Sequence, residues 1–241
     1  WLGGGQRLNP PEIQYAYYPQ MAFNNSHNIQ AVDEKTYDSM VNAVPKCQSM
    51  IKKCNEDDKQ CSLAYTYCNT ELTSPYYNSG LNPYDIRVPC GDNPLCYDFS
   101  MVETWLQSRS TLDALHVTSD SSKWQSCNNK INAQFKNDWM KRFDPFVKDL
   151  LENEIRVMIY AGDVDFICNS LGNKAWTLGF DWSGKDAFNN ESDKDWNDGK
   201  GTIRTSGGLT FLEVKEAGHM VPLDQPQAAL DLLDQFLEDK L

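Results

Sequence analysis

Apolar residues follow two distinct rhythms along this chain. Ile155-Arg156-Val157-Met158-Ile159-Tyr160 and Leu209-Thr210-Phe211-Leu212-Glu213-Val214 are short, mostly apolar runs rich in β-branched and aromatic side chains. Runs of this length and make-up predict buried strands, the first a central parallel one. Beyond Pro226 the rhythm changes: Ala229, Leu230, Leu233, Leu237 and Leu241 recur at three- and four-residue steps and predict a closing amphipathic helix. Upstream, Met40, Val41, Val44, Cys47, Ile51 and Cys54 fall on one side of a predicted helix, with Pro45 as its expected kink or break. Asn55 to Gln60 is a polar turn. The polar stretch from Asp181 to Gly208 holds Gly184, Gly199, Gly201, Gly207 and Gly208 and reads as a long surface excursion.

Each predicted strand runs into a loop with chemistry in it. After the first comes Gly162-Asp163-Val164-Asp165, and after the second Ala217-Gly218-His219-Met220-Val221-Pro222. Strand, acid, strand, His, helix is the closing order of an α/β-hydrolase, whose triad runs Ser, Asp, His along the chain. Asp165 and His219 are the candidate acid and base. A bland reading of Asp165 is the N-cap of a helix starting near Asn169, and Asp163 is the better structural acid. No Gly-x-Ser-x-Gly turn occurs in the sequence, so these two residues can orient a base but cannot form an acyl-enzyme. His27 and His116 sit among polar residues and read as surface positions.

Cysteine spacing adds a second signal. Cys47, Cys54, Cys61 and Cys68 are seven apart, close to two helical turns, so they share a face wherever the chain is helical. Folding back at the polar turn sets Cys54 beside Cys61 and Cys47 beside Cys68 as nested rungs. Zinc is the rival, against which stands a gap wider than zinc ligands favour. Asn24-Asn25-Ser26 and Asn190-Glu191-Ser192 are N-glycosylation sequons, which predict exposed Asn24 and Asn190 in a secretory-pathway protein. A net charge of −12 opposes nucleic-acid binding, and no apolar run is long enough to span a membrane. The first residues, Trp1-Leu2-Gly3-Gly4-Gly5-Gln6-Arg7, have neither an initiator Met nor the apolar core of a signal peptide. They suggest a chain cut from a longer one.

Tyr160-Ala161-Gly162-Asp163-x-Asp165-Phe166-Ile167-Cys168-Asn169-x-x-Gly172-Asn173-Lys174-Ala175-Trp176, Gly218-His219-Met220-Val221-Pro222 and Cys90-x5-Cys96-Tyr97 together resemble serine carboxypeptidases of the carboxypeptidase Y type. The resemblance extends from Leu2-Gly3-Gly4-Gly5, similar to a strand end of that family, through Gln14-Tyr15-Ala16-Tyr17-Tyr18 to the last helix. It implies an α/β-hydrolase fold lacking its nucleophile segment, and a Ser-Asp-His triad to which this chain contributes Asp165 and His219. The serine and the glycine-rich oxyanion loop would lie in a preceding N-terminal part, the expected partner. Neither metal nor cofactor is implied.

The same resemblance implies the pairs Cys47 with Cys68, Cys54 with Cys61 and Cys90 with Cys96, and a bond from Cys127 to a cysteine outside this chain. Tyr15, Tyr18, Asn69, Leu72, Trp139, Ile167 and Cys168 resemble the wall that receives the side chain before the scissile bond. Tyr84, Tyr97 and Met220 resemble the pocket for the C-terminal side chain. A Cys168 nucleophile is the less favoured alternative to a buried wall thiol. The implied organisation is a strand end and tyrosine-rich loop over 1–35, a disulfide-clipped helical insertion or cap over 36–100, and the rest of the catalytic domain over 101–241. Hydrolysis of C-terminal residues from peptides in a vacuole, a lysosome or outside the cell is the implied activity. An acyltransferase or lyase on the same fold, or an inactive binding or regulatory chain, are the alternatives.

Overall fold

The computed structural model describes residues 10–93, 95–117 and 124–241. The expected strand end at Leu2 to Gly5 lies outside them. Two sheets are present among the described residues: a hairpin of β1 (Leu81–Asn82) and β2 (Asp85–Pro89), and a larger sheet of β3 (Val157–Gly162), β4 (Lys194–Trp196), β5 (Gly201–Ser206) and β6 (Leu209–Val214) in the order β3, β6, β5, β4. β3 (Val157–Gly162) and β6 (Leu209–Val214) lie parallel in unbroken register from Val157↔Leu209 to Gly162↔Val214. Both are buried along nearly their whole length, as strands covered on two faces must be. β3 is the outer strand of this described sheet.

The stretch read as a surface excursion instead holds a helix, Lys185–Asn190, and two strands of the sheet. β5 (Gly201–Ser206) pairs antiparallel with β6, and β4 (Lys194–Trp196) pairs antiparallel with β5. Its polarity is that of strands with one wetter face: Gly201 and Ile203 are buried while Thr202, Arg204 and Thr205 are only partly covered. The glycines turn the chain between strands, Gly207 and Gly208 both with positive φ in the β5–β6 turn.

Helix Glu34–Glu56 continues through Pro45 without the break that was one of the two expectations there. Pro45 faces solvent, where the carbonyl left without its helical donor can be hydrated. The opposite face buries Met40, Ala43, Cys47, Ile51 and Cys54, and both disulfide rungs form, Cys47–Cys68 and Cys54–Cys61. Val41, placed inward by the spacing, is 43% exposed. The closing helix Pro226–Leu237 is likewise rotated by about one position from its expected face. Ala228 and Leu232 are buried, with Ala229 and Phe236 packed beside them, while Leu230 and Leu237 are exposed.

The helical segment and the hairpin pack together on the loop after β3. Tyr18, Met40, Cys47, Cys54, Leu72, Tyr76 and Ile86 share one apolar cluster with Val164 and Phe166, which lie on the loop after β3. Phe166 stacks on Tyr76 at 3.8 Å between ring centroids and on Tyr18 at 4.8 Å. The loop carrying Asp165 is thereby packed from behind by the helices. A third disulfide, Cys90–Cys96, closes the loop after β2.

Candidate active site

Because β3 and β6 are parallel neighbours paired through Gly162 and Val214, the loops that follow them leave the sheet side by side. Asp163 N donates to Val214 O at 3.0 Å and Val164 N to Ala217 O at 3.1 Å. This approach requires glycine at the strand end, since a Cβ on Gly162 would lie 2.0 Å from Ala217 O and 2.4 Å from Gly218 O. Gly162→Ala is therefore expected to destabilise the chain by about 1–3 kcal/mol. A lower urea midpoint with an unchanged m value would record it.

The hairpin tip locks both loops from the other side. Pro83 O accepts from Phe166 N and Ile167 N, Ile86 N donates to Val164 O, and Tyr84 O accepts from His219 N at 2.8 Å. Gly218 N donates to Asp224 Oδ2 at 2.7 Å, a charge-assisted bond at the start of the His219 turn. Asp224 was not singled out from sequence, although its place in the Asp224-Gln225-Pro226 turn was visible.

These supports bring the two candidate residues into contact. His219 Nδ1 and Asp165 Oδ2 are 2.9 Å apart, and the other oxygen of Asp165 accepts from Cys168 N at 3.1 Å. Against an ionised carboxylate, which only accepts, Nδ1 carries the proton and Nε2 is the basic nitrogen of the neutral ring. Asp165 is 2% exposed, so its charge acts on the imidazole with little screening. Burial pulls the His219 pKa down, but the hydrogen bond and charge of Asp165 outweigh it and leave the pKa above its ordinary 6.5. A raised imidazole pKa adds stability that is complete below the unfolded value and is lost as pH rises through the folded one. In Asp165→Asn the burial remains without the charge, so the pKa of His219 should fall below its ordinary value. An imidazole titration by NMR on both forms checks the reversal.

The imidazole sits on a cleft of about 800 Å³. Among the residues expected from sequence, Asn69, Tyr84, Tyr97, Trp139, Ile167 and Met220 line it with His219. Tyr15, Tyr18 and Leu72 do not: all three are buried behind the wall, where Tyr15 OH donates to Asn69 Oδ1 and Tyr18 OH to Ile167 O. The Leu72 side chain makes no polar contact with the wall and packs in the apolar cluster beneath it. Cys168 is likewise absent from the lining and is a free thiol. Burial and the nearby Asp165 charge push its pKa well above the ordinary thiol value, which disfavours the thiolate that nucleophilic attack needs.

Asp165, Cys168 and His219 bring their ligating atoms within 4.8 Å of one another, the one cluster of metal-binding composition among the described residues. A thiol held protonated, and an imidazole nitrogen already engaged with the carboxylate, make it a poor cation site.

Tyr65, Tyr77, Phe99, Trp124, Ile131 and Phe135 also face the cleft and were missed. Tyr65 could have been found one helical turn before Asn69. Thr73 reaches the cleft through a π-helical turn, Asn69–Thr73, that no periodicity reveals. Burial raises the phenol pKa of Tyr77 and Tyr84 and pushes Tyr97 up to about 12, so these rings stay uncharged at ordinary pH. Of the remaining expectations, Cys127 is free and lines the cleft, and Asn24, Asn190 and His116 are exposed. His27, read as a surface residue, is instead half-buried and bonded to Asp163.

The chain is similar to known proteins in sequence and in fold. The family described as serine carboxypeptidase matches residues 5–239. Carboxypeptidase Y homolog A of Talaromyces stipitatus is 43% identical over 246 residues, covering 97% of this chain and 44% of that protein. Carboxypeptidase Y of Candida albicans is 40% identical over 241 residues, with the same two coverages of 97% and 44%. The chain thus spans less than half the length of these relatives. In fold it is similar to the crystal structure of Kex1, a prohormone-processing carboxypeptidase of Saccharomyces cerevisiae. That likeness has a TM-score of 0.76 at 24% identity and covers 98% of this chain and 53% of the other. The fold is that of an α/β-hydrolase, and with nearly its whole length matched the chain belongs to the serine carboxypeptidase family.

Proposed function

We propose that this chain contributes the acid and base of a serine-type carboxypeptidase, its nucleophile coming from an N-terminal part of the same enzyme. One observation carries the reading: a buried carboxylate holds the imidazole of His219 at 2.9 Å on the wall of an aromatic cleft. A serine hydroxyl brought to Nε2 would lose its proton to His219 as it attacked the terminal peptide carbonyl. Asp165 would fix the tautomer and balance the imidazolium. His219 would then protonate the leaving amino acid. Tyr84, Tyr97 and Met220 form the surface for the C-terminal side chain, and Asn69, Trp139 and Ile167 that for the residue before it, backed by Tyr15, Tyr18, Leu72 and Cys168. Neutral aromatic walls suit apolar peptide ends. The disulfide-clipped segment over 36–100 acts as a cap whose hairpin holds the catalytic loops.

Cys127 is the tether to the N-terminal part, and glycans on Asn24 and Asn190 accompany passage through the secretory pathway to a vacuole, a lysosome or the exterior. The deciding assay uses an N-blocked dipeptide and its C-terminal amide with the chain assembled on its N-terminal part. Release of the C-terminal amino acid from the free acid is the expected result. Acyl transfer to an alcohol without peptide cleavage would replace this reading with an acyltransferase, and tight peptide binding without turnover would replace it with a binding chain. Mass measurement of the native protein with and without reductant should show a second polypeptide released by reduction.

A further inference from the structure

A second histidine and a second aspartate meet beside the first pair. His27 Nε2 lies 2.9 Å from Asp163 Oδ2, with side chains only 19% and 9% exposed. Asp163 Oδ1 also accepts from Ala217 N at 3.4 Å. Its carboxylate therefore joins three segments: the loop after β3, the loop after β6 and the turn that bears His27. Asp163 precedes Asp165 by two positions and Ala217 precedes His219 by two, so the junction sits at the root of both functional side chains.

The turn bearing His27 is built to hold it there. Asn25 is buried, and its Oδ1 accepts from His27 N at 3.1 Å and Ile29 N at 3.2 Å. Its Nδ2 donates to Met21 O at 3.0 Å and Ile29 O at 2.7 Å, satisfying the whole amide. Ala31 N closes the turn on Ala22 O at 2.8 Å. Without a donor at position 27, the Asp163 carboxylate would keep only the long bond from Ala217 N among its described side-chain contacts. A carboxylate so poorly satisfied in a covered site draws in water or swings outward. Either movement loosens the gap between the loops that sets the Asp165 to His219 distance.

We infer that His27 is a positioning residue for the catalytic dyad, acting through Asp163 to fix the spacing of the two loops. The inference rests on reading Asp165 and His219 as a proton-transfer pair. Its test has one arm that does not depend on turnover. In the 241-residue chain, solvent exchange of the His219 Nδ1 proton is followed by NMR with labelled histidine. His27→Leu removes the donor, and His27→Asn is polar but too short to reach Asp163, so it serves where the leucine variant does not fold. His27→Gln places an amide N–H near the original Nε2.

Exchange about tenfold faster in the Leu and Asn variants, restored in the Gln variant, is the expected pattern. In the assembled enzyme kcat should fall by about tenfold with KM within about twofold, again with recovery in the Gln variant. Unchanged exchange and kcat in a folded His27→Asn chain would overturn the inference. Equal loss in all three variants would overturn it too, since that marks general loosening rather than a lost donor. If the wild-type assembly cleaves no peptide, the carboxypeptidase reading fails while the proton-exchange arm still decides the role of His27.

Discussion

On the proposed mechanism, His219→Ala is expected to lower kcat on a blocked dipeptide by on the order of 10⁶, and Asp165→Asn by on the order of 10⁴, once the chain is assembled with its proposed N-terminal part. The two figures differ because the residues fail differently. In the proposed triad, nothing would accept the hydroxyl proton without the imidazole. With an amide in place of the carboxylate the ring remains, 2.9 Å from a group that can now donate. An amide N–H facing Nδ1 stabilises the tautomer whose proton sits on Nε2, where it cannot act as a base. Because the backbone of His219 is held by Tyr84 O and that of the two residues after Asp165 by Pro83 O, neither side-chain substitution should unfold the chain. The double variant should be no slower than His219→Ala alone, as expected of groups acting as a unit. Rates within tenfold of wild type for either single variant would remove the pair from the mechanism.

How much of this was legible in the sequence follows from what each signal measures. β6 was located to the residue, because Leu209 to Val214 is buried on both faces and bounded by glycine on one side. β3 begins two residues later than its apolar run, since the exposed Ile155 lies outside the sheet. Asp165 and His219 were readable as partners because parallel neighbouring strands place their following loops at one edge. Local composition misled where tertiary context decided. Arg204 and Thr205 looked like loop residues and are strand residues, and Leu230 looked inward but faces solvent while Ala228 is buried. The hairpin tip at Pro83 and Tyr84, which contributes carbonyl oxygens to both loops, has no side-chain signature at all. Nor does the π-helical turn at Asn69–Thr73, a hydrogen-bonding shift invisible to periodicity. The cysteine ladder was readable because its seven-residue spacing is close to two helical turns.

That ladder sets the second large effect. Replacing Cys47 and Cys68 together by alanine is expected to destabilise the chain by about 3 kcal/mol, from the entropy regained by the unfolded loop. The Cys47–Cys68 bond spans 21 residues and encloses the Cys54–Cys61 bond, which spans 7. With the inner rung intact the outer one still closes a loop through it, so the loss should remain near that size. Removing the inner pair instead should cost less, since its loop is shorter. The consequence reaches the cleft, because Cys68 is the last residue of helix Cys61–Cys68, whose Tyr65 lines the wall. Asn69 and Thr73 follow in the π-helical turn. The outer double variant should therefore raise KM for apolar dipeptides more than it lowers kcat, since Asp165 and His219 are held by the sheet and the hairpin. Urea unfolding of the oxidised chain gives the stability change, and initial rates in the assembled enzyme separate KM from kcat. A stability within about 0.5 kcal/mol of wild type would mean that the unfolded chain was never appreciably constrained by this bond. An equal fall in kcat would mean that the clipped helices, and not the hairpin alone, hold the dyad in place.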